Sequence, residues 1–363
     1  MGNKTPSALL LMGGKCSPDS DQGDNPSVEY RCLRRDYGFP ILSFDTAETG
    51  GGLAALLHKR VGPYWALALK ARFQTPVSRS VVATGEDIGF PAALVNAATG
   101  AGKWPLAIIM HGSYFGSRKV APVLRILRSL PGVRFLCLSE SLRQRMITRY
   151  HVPPERVLNV SYGVDTDYFT LTAPDATPNR QIMSAGMAMR DYRTLTTAAR
   201  ALPDITVRIA ADSAWFRSDL DIESESLPEN VVARSYGNYR NLRELYRESA
   251  FAVVPLYEAV HACGYAVILE AMAMGKPVIT SRITGRSDFV VDGETGFYVP
   301  PGDPEALRDR IRYLMDRPEL IRDMGQRARK LVLEKYTVQA YAARIAAAVG
   351  VPPLVGEEFM THV

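Results

Sequence analysis

The sequence predicts an α/β protein built from two doubly wound parallel sheets. Three observations carry that prediction. Short apolar strands alternate with helix-forming stretches along both halves of the chain, the order in which crossovers join parallel strands. Residues 170–180 (TLTAPDATPNR) hold two prolines and no apolar period, so they read as a linker. The length of 363 residues suits two domains of ordinary size.

In the amino-terminal half the expected strands are residues 9–12, 41–45, 80–84, 106–110, 135–138 and 157–160. The first ends in Gly13-Gly14. Residues 17–25 form an Asp-rich loop too polar for a core, and Gly50-Gly51-Gly52 leads into a helix. After the linker, strands are expected at 182–186, 207–210, 231–233 and 251–256. The last of these opens the most informative stretch, FAVVPLYEAVHACGYAVILEAMAMGKPVITS, residues 251–281. A loop covers 257–263. Helix formers run from Gly264 to Gly275, Lys276-Pro277 breaks the helix, and the next strand begins at Val278. This is a β-α-β unit with its loop at the carboxyl edge of the first strand, where open α/β sheets take their ligands.

Glu270 is the only charged residue between Gly264 and Gly275, among Val267, Ile268, Leu269, Ala271 and Met272. A carboxylate on a buried helix needs a hydrogen-bonding partner. Either it lies on a solvated stripe, or it recognises a ligand. Unpaired N–H groups at Gly264, Tyr265, Ala266 and Val267, with the positive end of the helix dipole, make an anion site. Glu270 follows four to six residues later, roughly 6–9 Å along the axis. A diphosphate on the helix start places an attached ribose near that depth.

Composition narrows the remaining classes. Net charge is +5, which favours an anionic ligand or surface weakly. The arginines of 308–330 alternate with acids and read as solvated helix faces, so no nucleic-acid partner is expected. No run of apolar residues is long enough to span a membrane, and residues 1–15 lack the pattern of a signal peptide. Cys16, Cys32, Cys137 and Cys263 form no CxxC pair, and the five histidines have no metal-ligand spacing. A cytoplasmic, bacterial protein with reduced thiols and no metal site is expected, with possible peripheral contact at the inner membrane face. The stretch 54–73 mixes aromatic, aliphatic and basic residues; it reads as a core-facing helix pair interrupted at Gly62-Pro63, with an anionic bilayer surface as the alternative.

Three motifs together resemble the GT-B retaining glycosyltransferases of the family-4 type, the glycosyl transferases group 1. Glu270-Ala271-Met272-Ala273-Met274-Gly275-Lys276-Pro277-Val278 is similar to the second half of that family's paired-glutamate motif. Residues 293–303 (GETGFYVPPGD) resemble its carboxyl-terminal signature, and residues 136–141 and 160–165 resemble the last strands of its acceptor domain. The resemblance runs from about Leu106 onward and implies two Rossmann-like domains facing each other across a cleft. Residues 1–169 would bind the acceptor and 181–335 the nucleotide-sugar donor. The tail, 336–363, would pack back towards the amino-terminal domain. It implies transfer from a nucleoside-diphosphate sugar, UDP- or GDP-linked, to an acceptor hydroxyl, without a metal or a resident cofactor. A cell-surface polysaccharide or glycolipid is the favoured acceptor, and protein or small-molecule acceptors remain open.

The resemblance also assigns residues. Glu270 maps to the glutamate that binds the ribose. The family's first glutamate falls at Ala262, with Glu258 and His261 as candidate replacements. His111, after the strand at 106–110, matches the histidine that contacts the donor sugar; as a plain turn residue it would cap the next helix. The family's arginine and lysine beside the diphosphate fall at Met187 and Tyr192, after Gly186. Arg190, with Arg193 as second choice, supplies the charge from a shifted loop. Chain order favours Gly13-Gly14 over Gly50-Gly51-Gly52 as the glycine loop near the phosphates. Glu86 and Asp87 either orient an acceptor hydroxyl or are loop acids. Two rival functions stand beside transfer. One is a catalytically degenerate sugar-nucleotide binder, for which Ala262 and Met187 speak. The other is a sugar-nucleotide epimerase or a phosphorylase of the same architecture. A dinucleotide oxidoreductase is disfavoured because no GxGxxG opens a helix after the first strand.

Overall fold

The computed structural model describes residues 8–14, 25–44, 62–74, 79–99, 105–171, 180–210 and 227–354. Gly50-Gly51-Gly52, Cys16, most of the loop at 17–25 and most of the linker lie outside them. The chain divides into two compact units, Met1–Asp21 and Val28–Ser161 with Gln339–His362, and Tyr162–Val338 with Gln22–Ser27.

The amino-terminal unit is a six-stranded parallel sheet of β1 (Ala8–Leu11), β2 (Ile41–Leu42), β3 (Ser80–Ala83), β4 (Leu106–Met110), β5 (Val133–Cys137) and β6 (Val157–Asn159). Their order across the sheet is β2-β1-β3-β4-β5-β6. Burial of every residue of β1 and β4 marks strands covered on both faces, which is why they read as continuous apolar runs. The helices are α1 (Glu29–Tyr37), α2 (Pro63–Gln74), α3 (Glu86–Ala98), α4 (Val120–Leu127) and α5 (Glu140–Thr148). Within the stretch read as a helix pair, α2 starts at Pro63, whose fixed φ suits a first helical position. It buries Leu67, Ala68 and Ala71 and leaves Trp65 and Phe73 exposed.

The carboxyl-terminal unit holds β7 (Gln181–Ala185), β8 (Thr206–Ala210), β9 (Val231–Arg234), β10 (Phe251–Val254), β11 (Val278–Ser281) and β12 (Gly296–Val299). All pairs are parallel, in the order β12-β11-β10-β7-β8-β9. The helices are α6 (Tyr192–Arg200), α7 (Tyr239–Glu248), α8 (Tyr265–Ala273), α9 (Pro304–Met315) and α10 (Pro318–Lys335). One core gathers Leu195, Val207, Ile209, Phe251, Val253, Ile279, Leu307, Ile311 and Met324 against one face of this sheet. Strand β12 begins at Gly296, which the sequence presents as a turn. An added Cβ there would run into the carbonyl oxygen of Val278, so only glycine lets β11 and β12 approach.

The unit boundary differs from the expected 169/170. The Val164 N–H donates to the Tyr336 carbonyl at 2.9 Å, and the Val338 N–H to the Val164 carbonyl at 2.8 Å. The Asp165 carboxylate accepts the N–H groups of Ser27, Asp167 and Tyr168. Phe169 meets Tyr246 edge to face, with ring centroids 6.0 Å apart. Residues 162–169 thus pack on the second unit, which linker composition alone does not reveal. The last helix, α11 (Val338–Ala348), belongs mainly to the first unit. Arg344 Nε donates to the Val160 carbonyl at 2.6 Å, and Arg134 Nη1 to the Ala348 carbonyl at 2.7 Å. Among the described residues no helix is long and apolar enough to cross a membrane.

Candidate functional site

In the second sheet the strand order reverses between β7 and β10. β7 leads to β8 on one side and β10 to β11 on the other, so their carboxyl ends form the switch point at which open α/β sheets take ligands. The loops beyond those two ends carry the residues singled out from sequence.

The loop after β7 turns at Gly186, with φ +87, and at Met189, with φ 60. Backbone bonds stitch it to the loop after β10. Tyr257 N–H donates to the Met189 carbonyl at 3.0 Å, and Asp191 N–H to the Pro255 carbonyl at 3.0 Å. Arg190 is held by its own loop. Its Nε donates to the Ala185 carbonyl at 2.8 Å and its Nη1 to the Ala188 carbonyl at 2.9 Å. Its Nη2 lies over Gly186, where an added Cβ would stand 2.7 Å away. Asp191 caps α6 by accepting the Thr194 N–H, and the buried Tyr192 hydroxyl donates to the Gly186 carbonyl at 2.5 Å. Arg193 lies on the exposed side of the first turn of α6. The structure therefore places Arg190, not Arg193, at the carboxyl end of β7. Tyr192 serves as a strut for the turn.

The loop after β10 rests on the one after β11. Gly285 N–H donates to the Ala259 carbonyl at 2.7 Å, and a Cβ on Gly285 would stand 2.5 Å from the His261 carbonyl oxygen. Glu258 is exposed and accepts the Thr284 N–H at 2.9 Å. His261 is half-buried, and burial lowers its pKa. Cys263 is buried, its thiol pushed up to about 11 by burial against the pull of Arg190, so it is a poor nucleophile. Gly264 then enters the left-handed region, φ +77, and starts α8 with no side-chain cap. Among the described residues no bond is made by the N–H of Gly264, Ala266 or Val267 to a capping group, which leaves an anion-ready helix start. The Tyr265 hydroxyl donates to the Gly285 carbonyl at 2.9 Å, and its ring packs on Phe289, bracing that start. At the other end of α8, Arg329 donates to the Ala273 carbonyl, a cation on the negative end of the dipole.

Glu270 is buried, 7% exposed, which excludes the solvated stripe. Burial pushes its carboxyl up to about 7, while the Tyr246 hydrogen bond and the Arg190 charge pull it back. Tyr246, fully buried on α7, donates its hydroxyl to Glu270 Oε2 at 2.7 Å. Sequence reading did not find Tyr246. Its only signal there is a tyrosine on the apolar side of α7, and its partner lies on a different helix.

In the first unit, His111 does follow β4, and its Nε2 lies 3.1 Å from the Thr84 carbonyl. That carbonyl can only accept, so Nε2 carries a proton towards it. Glu86, 3% exposed at the start of α3, accepts the Gly112 N–H at 2.5 Å. Burial raises its carboxyl, against the opposing pull of His111. Glu86 thus braces the turn that presents His111 and is no plain loop acid. Asp87 is partly exposed beside Tyr64 and Tyr114; burial and then its charge raise both phenols. A Cβ on Gly13 would stand 3.0 Å from an Asp87 oxygen and from the Tyr64 ring, whereas Gly14 faces open space. Gly13 therefore sits next to a carboxylate, an unfavourable neighbour for a phosphate.

Residues 189–331 match the family model described as Glycosyl transferases group 1, and this segment lies within the carboxyl-terminal unit. D-rhamnosyltransferase WbpZ of Pseudomonas aeruginosa is 37% identical over 231 residues, which are 61% of this chain and 58% of that protein. The α-D-kanosaminyltransferase of Streptomyces kanamyceticus is 25% identical over 232 residues, 58% of each chain. The chain thus spans little more than half the length of these curated relatives. Over the whole fold, Anabaena HepE in complex with UDP-glucose superposes with a TM-score of 0.71 at 16% identity, covering 94% of this chain and 99% of that one. Sucrose-phosphate synthase of Thermosynechococcus elongatus gives 0.70 at 17%, covering 94% and 98%. The fold is that of the GT-B glycosyltransferases, and residues 189–331 carry the group 1 glycosyltransferase segment.

Proposed function

We propose that this protein is a retaining glycosyltransferase moving a hexosyl group from a nucleoside-diphosphate sugar to an acceptor hydroxyl. One observation carries the reading: α8 has an uncapped start beside Arg190 and, along the same helix, a buried carboxylate with an open oxygen. The diphosphate binds the N–H groups of Gly264, Tyr265 and Ala266 and the Arg190 guanidinium, and Glu270 accepts the ribose hydroxyls. In the reaction the bond from the anomeric carbon to the diphosphate oxygen breaks, and its electron pair leaves with the diphosphate. The acceptor oxygen bonds to that carbon on the same face, and the acceptor proton passes to the leaving phosphate. Arg190 and the helix N–H groups stabilise the charge that develops. His111 is proposed to contact the sugar. Gly186 shapes the turn over which Arg190 lies. Position 262 is proposed as the site of the family's missing first glutamate, and Glu258, already bonded to Thr284, is a less suitable replacement than the half-buried His261.

The rhamnosyl and kanosaminyl transfers in the relatives' names, and the UDP-glucose held by HepE, support a sugar nucleotide as donor. UDP- and GDP-sugars are both proposed, with a polysaccharide or glycolipid acceptor. Product analysis tests the reading. Incubation with UDP- and GDP-sugars and a panel of glycoside acceptors should yield free nucleoside diphosphate and a glycoside whose anomeric configuration, read by NMR, equals that of the donor. An inverted product contradicts the mechanism. An epimerised donor, or donor binding without any turnover, favours the rival readings.

A further inference from the structure

Within that reading, the partner of the buried carboxylate decides how the nucleotide is recognised. Tyr246 has no exposed surface. Phe169 meets its ring edge to face at 6.0 Å and 89°, so the ring is held in one orientation. Its hydroxyl lies 2.7 Å from Oε2 of Glu270. Among the described residues Oε1 of Glu270 accepts no hydrogen bond, and it is not one of the buried, unpartnered atoms, so it keeps a path to the surface. The two oxygens of one carboxylate are therefore unequal: one is committed to the fold, the other is available to a ligand.

We propose that Tyr246 is a positioning residue for nucleotide recognition, holding Oε2 of Glu270 so that Oε1 is presented to the ribose hydroxyls of a ribonucleoside diphosphate. A ribose hydroxyl approaching Oε1 meets an acceptor already oriented, so less side-chain freedom is lost on binding. The hydroxyl has a second effect. A donor bond to a carboxylate favours its charged form, and the charged form is the better acceptor. Few other groups oppose or share this role. Arg190, from the loop after β7, also favours the charged form of Glu270. Tyr239, on α7, is pushed up to about 12 by burial and then by the Glu270 charge, so it stays neutral. Arg329 and Lys276 bind backbone carbonyls, those of Ala273 and Arg247 respectively.

The sign of the pH dependence follows. Glu270 titrates near pH 7 in the free protein, and ribose binding favours the carboxylate. Nucleotide affinity is therefore fully present above that value and declines as pH falls through it. Without the Tyr246 hydroxyl the midpoint moves upward, because the bond that favoured the charge is gone.

Tyr246→Phe keeps the ring and deletes only the hydroxyl. Calorimetric titration of UDP and GDP, and of their 2′-deoxy analogues, at pH 6 to 9 separates positioning from packing. The expected result is a loss of about tenfold in ribonucleotide affinity near neutral pH, a midpoint at higher pH, and weaker discrimination against the 2′-deoxy analogue. In Glu270→Gln, which cannot titrate there, the step near pH 7 should vanish, leaving only the titration of the ligand's own terminal phosphate, and adding Tyr246→Phe should not restore it. A uniform loss at every pH, equal for ribo- and deoxyribonucleotides, overturns the proposal, as does unchanged binding. A wild type that binds no nucleoside diphosphate overturns both this inference and the function it rests on.

Discussion

Arg190→Ala is expected to slow sugar transfer by about 10²–10³-fold, the effect of removing one preorganised donor from a developing oxyanion. The guanidinium is tied to the Ala185 and Ala188 carbonyls and lies over Gly186. It therefore pays little reorganisation when charge builds on the departing diphosphate. Because that charge grows in the transition state, turnover should fall more than donor affinity. Arg193→Ala, on the exposed side of α6, should leave the rate within a few-fold of wild type. Single-turnover measurements at saturating donor read both variants. Equal rates for Arg190→Ala and wild type would remove Arg190 from the leaving-group site.

Gly325→Ala is expected to destabilise the carboxyl-terminal unit by about 3 kcal/mol, at the upper end of the range for overpacking a dense contact. Gly325 sits in α10 against Gly275, which follows the end of α8 with φ +67. An added Cβ would overlap the Gly275 carbonyl oxygen, with Pro277 in ordinary contact beside it. Neither neighbour is the flexible end of a side chain, so the two helices must separate, and well-packed interiors resist that. For a unit of this size each kcal/mol lowers the melting temperature by about 2–4 °C, which calorimetry resolves. An unchanged melting temperature would mean that the contact between α8 and α10 yields easily. Helix α8 would then be less rigidly seated than its contacts with Arg329 and Gly325 suggest.

Both expectations concern α8, and the sequence made that helix legible for a physical reason. A single carboxylate in an apolar run, one turn beyond a glycine-initiated helix, is a local pattern that requires a partner wherever the chain folds. The strands were legible for a similar reason. β4 and β10 are buried on both faces and therefore read as unbroken apolar runs. Strand β12 was not legible, because Gly296 suggests a turn until Val278 is seen against it. The unit boundary was hidden as well, since Val164 and Phe169 are assigned by long-range contacts to Tyr336, Val338 and Tyr246.

The candidate site divides the same way. Glu270 and Gly264 were visible from local geometry, and Gly186 through the resemblance. Arg190 was separable from Arg193 only once the loop after β7 could be seen turning at Met189, which directs one arginine along the strand end and leaves the other on the helix surface. Tyr246 and Glu86 were respectively missed and left ambiguous. Each acts through a bond to a residue 24 or 26 positions away, and such pairings leave no spacing signal.

The central claim is that α8 holds a nucleoside diphosphate. A thermal-shift panel of UDP, GDP, ADP, TDP, CDP and NAD, on wild type and Glu270→Ala, tests it most directly. A ligand at 100 times its dissociation constant should add about 2.7 kcal/mol to stability. Removing Glu270 should weaken its binding by about 1–3 kcal/mol. The account predicts that one diphosphate raises the wild-type melting temperature and fails to do so for the folded variant. A panel in which no diphosphate shifts the wild type, or one in which Glu270→Ala responds as the wild type does, contradicts it.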